Sequence, residues 1–103
     1  MSLVFICSPY RAPTADGREK NATAAMVIRN LVEAEGHRAI APHTLLPTIW
    51  DDEHPDDRAA ALRVALGILS VCDEVRVYGT PSEGMLAEIA EAERLGIPVR
   101  RLG

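Results

Sequence analysis

A chain of 103 residues, 48% hydrophobic and 25% charged, has the length and proportions of one globular domain and is unlike a disordered or fibrous protein. Its net charge of −4 argues against a nucleic-acid polymer as partner, because neutralising a phosphate backbone takes clustered Lys and Arg, and here only Arg100 and Arg101 are adjacent, as a local patch. No apolar run approaches the ~18 to 20 residues of a membrane span, and the start MSLVFICS lacks a basic stretch followed by a cleavage site, so no membrane association and a cytoplasmic location are expected.

Aromatic residues make up 4%, so the core is expected to be aliphatic. A domain of this size buries only about two-thirds of its unfolded surface, and a homo-oligomer, most simply a dimer, is expected on that ground. Cys7 and Cys72 lie in apolar segments without metal-ligand spacing, which predicts buried, reduced thiols.

Leu3 to Ser8, LVFICS, is a short apolar run bounded by Pro9 and predicts a strand buried on both faces. SPYRAPTADG follows and predicts a loop. From about Glu19 to Glu35 the positions Ala24, Val27, Ile28, Leu31 and Val32 recur at helical spacing, with Gly36 as the stop. RAIAP, Arg38 to Pro42, predicts a second strand. HTLLPTIWDDEHPDD carries Pro47 and Pro55 and neither periodicity, so a connecting loop or lid is expected. Ala60 to Ser70 is helical and apolar over a wide arc, and EVRVYG, Glu74 to Gly79, is a third strand. TPSEGM opens a third helix that ends near Leu95 at Gly96, before a last strand in IPVRRL.

This order predicts one α/β domain over 1–103: three layers, a four- to five-stranded parallel sheet, and a flavodoxin- or Rossmann-like (βα)n topology with right-handed crossovers. Ligands in such folds bind outside the carboxyl ends of the strands. The loops SPYRAPT, PHTLLPTIW and YGTPSEGM are therefore the ones expected to hold a site.

The third helix start carries the most organised signal. Thr80 and Glu83 have capping-box spacing with Pro81 in the first helical position, which accounts for TPSE without any ligand. Gly84 is left over, since glycine inside a helix costs about 1 kcal/mol against alanine. Either it is an incidental surface position, or something approaches the backbone there, where free amides and the Ser82 hydroxyl make an anion site. Counting about 100° per residue puts Met85, Ile89, Ala92 and Gly96 on one face, with Glu88 at its edge beside Leu95. Glu88 is then a surface glutamate, or a carboxylate facing the cleft as nucleophile or sugar-hydroxyl acceptor.

Ser8, Tyr10 and Arg11 follow the first strand. Arg11 can pair with a phosphate and Tyr10 can cover a base or sugar, or both can be surface and packing residues. His43, after the second strand, is a ligand contact or a loop hydrogen-bonder. Trp50 stacks on a base or buries at a subunit contact. The carboxylates Asp51, Asp52, Glu53, Asp56 and Asp57 read as a solvated run that caps the second helix. There is no GxGxxG, no GxxxxGK[ST] and no His/Cys set at metal spacing, so neither a cofactor nor a metal is expected.

Taken together, FICSPYR, APH, CDEV, S-x-G-x-x-x-E-x-x-x-A and LGIPV resemble the nucleoside 2-deoxyribosyltransferase-like superfamily. That superfamily includes 2'-deoxynucleoside 5'-phosphate N-hydrolases; the likeness is greatest to its small uncharacterised, often phage-associated branch, which shares SPYR, PH and SEGM. It covers nearly the whole chain, and the S-x-G-x-x-x-E motif is the specific part. By motif match the resemblance implies Glu88 as the nucleophile at the sugar anomeric carbon and Ser82, Gly84 and Arg11 as 5'-phosphate contacts, with Tyr10 and His43 left to the sugar or base. Two departures stand out. The hydrolases' aspartate that positions or protonates the leaving base falls on Ala65, leaving Asp51 or Asp52, of this chain or of a partner subunit, as the candidate substitute, and their first-strand tyrosine falls on Phe5. The expected function is nucleoside or nucleotide binding with N-glycosidic cleavage or deoxyribosyl transfer. The alternatives are a non-catalytic nucleotide-binding or sensing module, favoured by Ala65, and a structural subunit that takes no ligand.

Overall fold

The computed structural model of the chain describes residues 2–9, 12–42 and 54–102. In chain order it contains β1 (Leu3–Cys7), α1 (Ala15–Ala34), β2 (Arg38–Ile40), α2 (Pro55–Leu69), β3 (Glu74–Tyr78), α3 (Glu83–Leu95) and β4 (Val99–Leu102). The strands form one sheet in the order β2-β1-β3-β4, every neighbouring pair parallel. This is the three-layer α/β architecture expected, with four strands among the described residues. The chain runs outward from β1 to β2 and, on the other side, from β3 to β4, so the direction of winding reverses between β1 and β3. The carboxyl ends of those two strands flank the point where such sheets bind ligands.

Alternation along β1 supplies both cores. Phe5 and Cys7 face a cluster with Ala65 and Leu69 of α2, Val75 and Val77 of β3, and Met85, Ile89 and Ala92 of α3. Val4 and Ile6 face the other way, onto Ala25 and Val32 of α1. All four of these β1 side chains are fully buried, and burial of each large aliphatic or aromatic one contributes about 1.5 to 3 kcal/mol. The apolar run LVFIC is thus explained by a strand with no solvent face. Its neighbour β3 also buries a charge: Arg76, 4% exposed, pairs with Glu74 on its own strand and with Glu35 at the end of α1.

Three helix starts differ from expectation. α1 begins at Ala15, a turn before Glu19, because the Thr14 hydroxyl caps it by accepting from the Gly17 amide at 3.0 Å. Part of TADG is therefore helix and not loop. A Cβ at Gly17 would lie 2.8 Å from the Ala12 Cβ, which explains the glycine. α2 begins at Pro55 in place of Ala60, taking the last three residues of the expected loop; Pro55 opens the helix and Asp56 and Asp57 occupy its first turn, while the cap position, His54, makes no side-chain bond. Asp56 and Asp57 thus favour the helix through its dipole and do not cap it.

The third difference bears on function. The cap of α3 is Ser82, with extended backbone, and Glu83 is the first helical residue. The Met85 amide donates to the Ser82 hydroxyl at 3.3 Å, and the Met85 thioether accepts from the Ser82 amide at 3.4 Å. Thr80 and Pro81 precede the helix, so the box expected between Thr80 and Glu83 does not form. At the other end Gly96 takes the left-handed conformation, φ 73, that ends the helix.

Candidate active site

The carboxyl edge of the sheet gathers Ser8 and Pro9 after β1, Gly79 to Pro81 after β3, the end of β4, and the start of α3. Gly79 has φ +79, a left-handed turn conformation that favours glycine, and it lies against the ring of Pro9, where the β1 and β3 loops meet. Beside it a cleft of ≈ 280 Å³ is lined by Val77, Gly79, Thr80, Pro81, Arg101 and Leu102.

Glu88 lies one turn into α3 on its inward face, spaced with Met85, Ile89 and Ala92, and all four are buried. At 4% exposure it is not the surface glutamate that its position at the edge of the helical face allowed. Among the described residues its hydrogen-bond partner is Cys7, whose thiol donates to Glu88 Oε1 at 3.3 Å. Loss of water raises the Glu88 carboxyl from its ordinary 4.5 to about 7, and the Cys7 bond opposes the rise. The same burial, together with the Glu88 charge, pushes the Cys7 thiol far above its usual range, so it stays protonated and remains a donor. A buried carboxyl poised near neutrality at the carboxyl edge of a parallel sheet is the kind of group that serves as nucleophile or acid–base.

Ser82 and Gly84 are exposed at the start of α3. The Ser82 hydroxyl spends a lone pair on its cap, which leaves its hydrogen to donate outward. Nothing lies within 4 Å of a Cβ built on Gly84, so the packing of the described residues does not require glycine there. Ser8 is 3% exposed and its hydroxyl has no partner among the described residues. Tyr10, Arg11, His43, Trp50, Asp51 and Asp52 lie outside the described residues. Among the described residues no group of three or more His, Cys, Asp or Glu is placed to hold a metal ion, and no helix is long and apolar enough to cross a membrane.

Two residues at the site carried no functional expectation. Cys7 is buried and free as predicted, but it is also the partner of Glu88. Arg101, seen in sequence only as part of a basic pair, lines the cleft, and its positive charge acts on Cys7 across Val77, with which both residues are in register. Alternation along β4 separates it from Arg100, a distinction the dipeptide alone hides.

Because Ser82 caps α3, Ser82→Ala is expected to lower stability by about 1 kcal/mol in urea unfolding with no ligand present. Any further effect on ligand affinity is to be read against that baseline.

The chain belongs to the family described as Domain of unknown function (DUF7768), whose model matches residues 2–102. Among solved structures it is similar to a 2-deoxyribosyltransferase from the psychrotolerant bacterium Bacillus psychrosaccharolyticus, with a TM-score of 0.66 and 17% sequence identity over 97% of this chain and 71% of that one. At that identity the likeness establishes a shared fold. No curated protein matches the sequence.

Proposed function

We propose that the chain is a single nucleoside 2-deoxyribosyltransferase-like domain that binds a nucleoside or nucleotide and cleaves its N-glycosidic bond with Glu88 as nucleophile. The observation that carries this is the buried Glu88 carboxyl, held at about 7 beside the carboxyl edge of the sheet and bonded to Cys7. The deoxyribosyltransferase fold of the structural neighbour supports it. In the reaction a Glu88 oxygen attacks the anomeric carbon and the bond to the base breaks, the base leaving with the electron pair and taking a proton from solvent. A water, or an incoming base, then displaces the carboxylate from the sugar. Ser82 donates its hydroxyl hydrogen to the 5'-phosphate, and Gly84 leaves room for that group against the backbone. Arg11 pairs with it, while Ser8, Tyr10 and His43 contact the sugar or base.

A second reading follows from Ala65. It is packed in the core cluster at 4% exposure and has no group to protonate the leaving base, and the pocket then serves as a binding or sensing module without turnover. We place the chain with the small phage-associated branch of the superfamily, acting in the cytoplasm as a homodimer whose partner completes each site. Exposed Val27 and Leu31, one turn apart on α1, offer apolar surface for such a contact.

The test is a panel of deoxynucleosides and their monophosphates, with free base followed by chromatography and thermal unfolding measured alongside, for the parent protein and Glu88→Ala. Base release that Glu88→Ala lacks supports the glycosidase. Stabilisation by a nucleotide without release supports the binding module, and neither effect with any compound overturns both.

A further inference from the structure

We infer that Cys7 is a positioning residue for Glu88: its thiol holds Oε1 of the carboxylate in place and leaves Oε2 as the reacting atom. This deepens the proposed function and rests on it. The thiol has one hydrogen and two acceptors in range. Glu88 Oε1 is at 3.3 Å and the Met85 carbonyl at 3.9 Å, so the bond goes to the carboxylate. The two residues are 81 positions apart in sequence, and the contact exists because β1 ends where the first turns of α3 pass over it. Among the described residues no other hydrogen bond reaches the Glu88 carboxylate.

Among the described residues the side chains packed around Cys7 offer no substitute. From α2 and β3 the cluster around Cys7 presents Ala65, Leu69 and Val77, none of which titrates. Cys72, in the same cluster, spends its thiol on the Ile68 carbonyl at 3.3 Å. From β4 the positive charge of Arg101 acts on Cys7 and opposes the rise that burial gives its thiol. A thiol is a weak donor. It fixes one oxygen while drawing little charge from the carboxylate, which suits a nucleophile better than a strong donor would.

The experiment follows the Glu88 carboxyl directly by carbon-13 NMR titration, its signal assigned by its loss in Glu88→Gln, in the parent, Cys7→Ala and Cys7→Ser. Cys7→Ala is expected to move the midpoint up by about one pH unit, since the ionised form loses its donor. Cys7→Ser keeps a donor and is expected to titrate at or below the parent. In the base-release assay at pH 7, Cys7→Ala is expected to lower kcat about fivefold, as the ionised fraction falls, with KM kept and activity recovered at higher pH. An unmoved midpoint in folded Cys7→Ala overturns the inference. If Cys7→Ala does not fold, an upward move in Cys7→Ser does the same. Absence of base release in every protein, the parent included, counts against the glycosidic function, and the titration still decides whether Cys7 holds Glu88.

Discussion

At pH 8 the Glu88→Gln variant is expected to be more stable than the parent protein, and at pH 5 the advantage is expected to shrink. The cause is burial: the folded protein holds the Glu88 proton more tightly than the unfolded chain does, because ionising the carboxyl means placing a charge away from water. A carboxyl raised in the folded state contributes stability that is complete below its ordinary value of 4.5 and is lost as pH rises through about 7. That displacement, at about 1.4 kcal/mol per pH unit, sets a ceiling of about 3 kcal/mol on the cost of keeping Glu88 ionised. Glutamine keeps the shape and the acceptor that Cys7 needs but cannot ionise. Its buried amide hydrogens lack partners, so the realised gain falls below the ceiling. Urea unfolding of both proteins at pH 5 and pH 8 measures this, and comparing them cancels the titration of every other group. A parent–variant difference that does not change between the two pH values would mean that Glu88 is not desolvated in solution. A stability gain on removing a polar group is what a functional carboxylate held against its own burial cost gives.

Much of the fold could be read from local signals. LVFIC had to be a strand without a solvent face, Gly36 and Gly96 end helices where the pattern stops, and β3 follows from EVRVY. The start of α3 was misplaced because two caps compete there. A cap needs a hydroxyl three residues before a free amide, and in TPSE both Thr80 and Ser82 qualify; choosing Ser82 depends on the Met85 thioether reaching back to its amide. Depth was less legible than direction. Helical spacing placed Glu88 at the edge of the apolar face of α3, but whether that edge meets water depends on β1, which passes beneath it. Cys7 was recognised as buried and not as the partner of Glu88, because nothing local joins residues so far apart in sequence.

Base release is expected to fall at least about 10³-fold in Glu88→Gln, to the background of the uncatalysed reaction, while a bound nucleotide still raises the unfolding temperature. Glutamine fills the same space and accepts the same thiol bond, so the pocket stays formed and only the attacking oxygen is lost. Ala65 makes two further aspects of the parent protein's proposed activity predictable. Without an acid on the base, turnover is expected to be slow, by the ~10² to 10⁴-fold that a positioned acid typically contributes. The pH profile is expected to be one-sided as well. Attack requires ionised Glu88, so the rate climbs as pH rises through about 7 and then levels, with no fall at higher pH from an acid that Ala65 does not supply. A bell-shaped profile would show that an acid acts from elsewhere, in this chain or in a partner subunit. Full base release by Glu88→Gln would remove the nucleophile assignment outright, and the same measurement on nucleoside against nucleotide substrates reports whether Ser82 and Gly84 hold a 5'-phosphate.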